Sequence, residues 1–114
     1  MNIREMLDNI QGAVENLDID EALDLRDSEE FDSEWVRVYH LVEERKTAES
    51  EECRGIREKA YISALEFGEY EDIAACVSDD FGLIFDAESV GFCDPWLDKL
   101  IDCYRRSVFP CGKL

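Results

Sequence analysis

Residues 94–110, Asp-Pro-Trp-Leu-Asp-Lys-Leu-Ile-Asp-Cys-Tyr-Arg-Arg-Ser-Val-Phe-Pro, constrain the fold more than any other stretch of this 114-residue chain. Asp94 carries the side-chain oxygen that an N-cap needs, and Pro95 has a preset φ and no N–H to leave unsatisfied at the first helical position. Trp96, Leu97, Leu100, Ile101, Tyr104 and Val108 recur at helical spacing as one wide apolar stripe. Asp94 and Asp98 stand at the positive end of the helix dipole and Arg105 and Arg106 at the negative end, while Asp102 can pair with Arg106 one turn on. Pro110 is the expected stop. A helix so marked has to bury one face against other helices, with Trp96 among the buried residues.

The rest of the chain repeats that period. Ile3, Leu7, Ile10, Val14 and Leu17 form a seam that predicts a helix over residues 2–17. A short helix is expected over 20–26, from Ala22, Leu23 and Leu25, followed by an exposed acidic connector. Trp35, Val38, Tyr39 and Val42 predict a helix that begins near its N-cap candidates Asp32 and Ser33. A strand is the rival there, but its alternation leaves neither face apolar. Cys53, Ile56, Ala60, Ala64 and Phe67 predict a helix over 49–67 stopped by Gly68, after a break at 47–50. Two shorter helices are expected over 69–77 and 79–88, the second capped by Ser78 or Asp79. The expected architecture is all-α, a single compact domain over residues 1–114 with about five to seven helices in an irregular bundle. Residues 64–84, with Asp94-Pro95-Trp96-Leu97, resemble the C-terminal half of small bacterial proteins, which implies a bacterial origin.

Function classes are narrowed first by charge. The chain holds 29 acidic and 12 basic residues, a formal net charge of −17. Nucleic acid and anionic membrane surfaces would both be repelled, and a basic protein is the natural complement. No apolar run is long enough to span a bilayer. Cys53, Cys76, Cys93, Cys103 and Cys111 are an odd number without paired spacing, and the chain opens without an apolar signal segment. Reduced thiols in the cytoplasm are therefore expected.

Sites of chemistry are hard to build from these residues. Structural zinc wants Cys-x-x-Cys or paired histidines, and His40 is alone. Asp18, Asp20 and Glu29 fall at positions 1, 3 and 12 of a calcium loop, but Ala22 and Leu23 occupy positions 5 and 6, where a ligand oxygen and a glycine are needed. His40 could activate a cysteine only through spatial proximity, with no local nucleophile motif in support. Glycine-rich phosphate loops and His-Glu-x-x-His are absent from the sequence. No cofactor or metal is expected. Arg54, Arg57 and Lys59 form a small basic group best explained by intrahelical pairing, such as Arg54 with Glu58.

The distribution of acid is the functional clue. Residues 1–52 hold 17 Asp/Glu against 5 Lys/Arg, and between residues 15 and 34 ten acids face the single base Arg26. Asp18, Asp20, Glu21, Asp24, Asp27, Glu29, Glu30, Asp32 and Glu34 are the candidate partner-binding residues. Two readings compete: a solvated face that keeps the protein soluble, and a docking surface for a basic protein. The functional expectation is a small acidic interaction module that regulates or neutralises a basic partner, like an immunity protein or a nucleic-acid mimic. The alternative is a small Asp/Glu-dependent or metal-dependent enzyme.

Overall fold

The computed structural model describes residues 3–114, so Asn2, the first residue of the expected N-terminal helix, lies outside them. Seven helices run through the described residues: α1 Ile3–Leu7, α2 Ile10–Val14, α3 Ile19–Arg26, α4 Glu29–Glu43, α5 Glu51–Gly68, α6 Glu71–Ser89 and α7 Pro95–Arg105. Helix accounts for 72% of the described residues and no strand is present among them, as the all-α reading requires. The radius of gyration, 13.1 Å, is close to the ~13 Å expected of a compact chain of this length.

Helix α6 is the axis of the molecule. Ile73, Ala74, Val77, Phe81, Leu83, Ile84 and Ala87 are all buried on it, with Ser78, Asp80 and Gly82 buried between them. A helix enclosed nearly all round in this way is a central one. The most extensive helix contact is with α5, joined to α6 by only Glu69 and Tyr70. The pair is antiparallel: Cys53 meets the Gly82 carbonyl, and Arg57 meets Ser78 and Asp79. Gly82 opens the room for this. A Cβ there would lie 2.7 Å from Arg57 Cδ.

The expected break between residues 77 and 79 is therefore corrected. Ser78 and Asp79 look like N-caps, but Ser78 Oγ donates to the Arg57 carbonyl at 3.1 Å and Asp79 pairs with Arg57 at 2.9 Å. Their oxygens serve partners on α5, which leaves the helix free to continue. The N-terminal seam is corrected in the opposite sense. It breaks at Asp8 and Asn9, where the N–H groups reach back three residues, to Glu5 and Met6, and the Asn9 amide donates to the Arg105 carbonyl. Short polar side chains that compete for backbone groups favour such an interruption. The chain leaves helix again at Glu15, with Asn16 at φ 60°.

Helix α4 is entered from Ser28, four residues before Asp32 and five before Ser33, the caps expected for it, so the acidic connector is mostly helical. The cause is Phe31, buried edge-on against Trp96 at 5.4 Å and beneath the Arg26 guanidinium at 4.3 Å. Phe31 extends the Trp35–Val38–Val42 stripe by a turn. Helix α5 starts where the break at 47–50 predicts, with Ser50 accepting from Cys53 N–H at 2.9 Å. Its stop is Glu69, left-handed at φ 64°, instead of Gly68.

Helix α7 starts as its sequence demands. Asp94 accepts from the N–H groups of Trp96 and Leu97, and Trp96 is only 9% exposed. The Asp102–Arg106 pair forms at 2.8 Å. Pro110 does not end the helix, which stops at Arg105 with Ser107 left-handed, and Val108 leaves the stripe to become exposed. The tail then returns over α3, where Gly112 N–H donates to the Leu25 carbonyl at 3.1 Å.

Candidate interaction surface

The electrostatics of the surface are set from inside. Asp80 is fully buried at the centre of α6, and each of its oxygens accepts two hydrogen bonds. Oδ2 receives Arg26 Nη1 at 2.7 Å and the Tyr104 hydroxyl at 2.5 Å, while Oδ1 receives Arg26 Nη2 at 3.0 Å and Trp35 Nε1 at 2.9 Å. A carboxylate offers roughly four lone-pair sites, so this one is saturated. The fork of the guanidinium matches it with two parallel bonds. Burial opposes the charge on Arg26, but Asp80 more than offsets this and raises the Arg26 pKa. Burial and the Asp80 charge push the Tyr104 hydroxyl well above its usual range, so it stays a donor. One buried acid thus ties α3, α4 and α7 to α6.

The network has a consequence outside. Arg26, the one base between residues 15 and 34, is turned inward and held between the Phe31 and Phe109 rings. Its Nη1 also donates to the Pro110 carbonyl at 3.3 Å. The exposed charged side chains that α3 and the first turn of α4 themselves contribute are thereby all acidic. Asp18, Asp20, Glu21, Asp24, Asp27, Glu29, Glu30 and Asp32 are all exposed. Asp18 also caps α3 by accepting from Glu21 N–H at 3.2 Å.

Glu34 stands apart. It is half-buried and paired with Arg37, whose guanidinium also forks onto Asp94 at 2.9 and 3.1 Å. Hydrogen bonds from Arg37 and from the first N–H groups of α7 hold the Asp94 carboxyl below its usual range, although burial works against them. Glu30 and Glu34 border a depression that also contains Arg37, Lys99 and Lys113. The nine candidate residues therefore divide into an uncompensated acidic group on α3 and the α3–α4 junction, and a charge-balanced edge beside α7.

The enzyme-like alternatives gain no geometry. His40 is exposed, edge-on to Tyr39 at 5.8 Å. Burial, with Asp86 in support, pushes the Cys53 thiol up to about 11. Burial also raises Cys76, Cys103 and Cys111, which makes these thiols poor nucleophiles. Among the described residues, no group of three or more His, Cys, Asp or Glu side chains is placed to hold a metal ion. Among the same residues, no helix is long and apolar enough to cross a membrane.

Sequence reasoning missed Asp80 and with it the fate of Arg26. The available signal was positional. Asp80 lies three residues after Val77 and four before Ile84, on the apolar stripe of a helix that had been divided at that point.

The fold and its surface define an all-α protein whose conspicuous exterior feature is a one-signed electrostatic face. The chain matches the family model described as Immunity protein PIM1 over residues 2–111, and it belongs to that family. Comparison with curated proteins gave no match.

Proposed function

We propose that this protein is an immunity protein that binds a toxin protein and neutralises it, acting as a stoichiometric binder without catalysis of its own. The docking face is the acidic surface of α3 and the start of α4, and the complementary toxin surface is basic. The observation that carries this reading is the inward turn of Arg26 onto Asp80, which withdraws from the face the one base between residues 15 and 34. Like charges crowded on one surface cost folding energy by self-repulsion, and steering a basic partner offsets that cost by function. The odd cysteine count supports action in the cytoplasm.

Co-expression with its cognate toxin, sought first in the product of the adjacent gene, should rescue growth of cells that make that toxin. Purified protein should associate with that toxin quickly at 0.1 M salt and far more slowly at 1 M, where the Debye length falls from roughly 10 Å to about 3 Å. Reversal of Glu29, Glu30 and Asp32 to Lys should lower the association rate about tenfold or more at low salt, with the dissociation rate little changed. Equal association rates for wild type and the triple variant would reduce this face to a solubilising one.

A further inference from the structure

The geometry points to a second contact, distinct from the acidic α3–α4 face: the cleft between α4, α5 and α6 receives an arginine side chain of the toxin. This rests on the immunity reading above and adds a specific anchor to it. The cleft has a volume of about 280 Å³ and is walled by Trp35 and Tyr39 on one side and by Glu43, Glu49, Asp79 and Asp86 around the rest. That volume lies just below the range of about 300–1,000 Å³ usual for pockets that hold drug-sized ligands, and it suits a single long side chain.

Three features select the occupant. The Trp35 and Tyr39 rings stack with centroids 5.4 Å apart and planes 16° from parallel, and Tyr39 remains 40% exposed, so the pair offers an accessible aromatic edge to the cleft. Trp35 is not free to move away, because its indole N–H is bonded to the buried Asp80. The wall also carries four carboxylates against two cations, Lys46 and Arg57, a formal excess of two negative charges. Arg57 is engaged with Asp79, while the single Lys46 ammonium is shared among Glu43, Asp86 and, at 3.8 Å, Glu49, so three carboxylates compete for one cation. A planar guanidinium is the group that can stack on an aromatic ring and fork onto carboxylates at once, which a compact ammonium does less well. Aromatic and arginine side chains are also the usual centres of binding energy in interfaces.

The test has two arms. In the first, the 15N-labelled protein is titrated with N-acetyl-arginine N-methylamide and, separately, with the neutral citrulline analogue. Saturable shifts at Tyr39 and at the Trp35 indole are expected with the arginine compound alone, lost in Tyr39→Ala and in the E43Q/E49Q double variant. Identical responses to the two compounds, or none, would overturn the inference without touching the immunity reading. In the second arm, dissociation from the cognate toxin identified by the rescue experiment is measured for wild type, Tyr39→Ala and Tyr39→Phe. Tyr39→Ala should dissociate about tenfold faster and Tyr39→Phe nearly as wild type. An unchanged dissociation rate for Tyr39→Ala would show that the toxin does not use the cleft, whereas failure of the wild type to bind that toxin at all would remove the immunity reading and this contact together. Tyr39 is exposed, so both variants should fold, with thermal melting as the check.

Discussion

At the scale of single residues, the molecule depends on Asp80. A buried charge is tolerated only when it is paired and its remaining lone pairs are satisfied, and Asp80 meets both conditions through Arg26, Tyr104 and Trp35. Asp80→Ala would leave the Arg26 guanidinium buried without a counter-charge, at an expected cost of about 3–5 kcal/mol. Set against the ~5–15 kcal/mol that holds a typical domain together, that is enough to threaten folding. Tyr104→Phe removes one donor and should cost about 1–2 kcal/mol. Urea unfolding of the two variants separates the cases, and a near-neutral Asp80→Ala would mean that Arg26 finds water. Asp94 gives a second, pH-dependent prediction. Its folded pKa is lowered below the unfolded ~3.9, so its contribution is complete above about pH 4 and is lost as pH falls through the folded value. Arg37→Met should raise that folded value and move acid unfolding to higher pH, as seen by circular dichroism between pH 2 and 6.

At the scale of elements, the α5–α6 junction reverses the usual roles of its two residues. Gly68, which capping preference nominates as the stop, is the last helical residue, and a Cβ there would sit 3.1 Å from Val14 Cβ in the core. Glu69 takes the left-handed conformation that glycine adopts more easily. Gly68→Ala should therefore destabilise, by about 1–3 kcal/mol through overpacking, despite alanine's better helix propensity. Glu69→Gly should stabilise, by roughly 0.5 kcal/mol, the left-handed penalty relieved exceeding the entropy that glycine adds to the unfolded chain. Thermal melts of the pair should move in opposite directions, and a shift of both in one direction would refute the assignment of roles. The same lesson applies to α6. Its division at Ser78 and Asp79 was a fair reading of capping chemistry, but capping oxygens that have partners on another helix no longer terminate their own.

At the scale of the whole molecule, the −17 charge is unevenly spent, and the fold sharpens the imbalance by drawing Arg26 inward. Self-repulsion on that scale should make stability rise with salt as the charges are screened. The triple reversal at Glu29, Glu30 and Asp32 relieves part of the repulsion, although it places bases near the positive end of the α4 dipole. Its melting temperature should accordingly change little, even as toxin association slows. A melting temperature that falls by ten degrees or more would assign these residues to folding. Membership of the PIM1 immunity family agrees with a molecule whose function is read on its exterior.

The sequence by itself determined the all-α class, the start of α7 at Asp94-Pro95, the break ahead of α5, the burial of Trp96 and the excess of acid before residue 35. Each of these follows from periodicity, capping or composition, which act within a few residues along the chain. Only the tertiary structure decided that α6 is continuous, that α4 reaches back to Glu29, that the N-terminal seam breaks at Asn9 and that Arg26 leaves the surface. Those outcomes depend on partners distant in sequence: Asp80 lies 54 residues from Arg26 and Arg105 lies 96 from Asn9. A polar group is stable in the interior only once such a partner has arrived, and local pattern carries no information about that arrival.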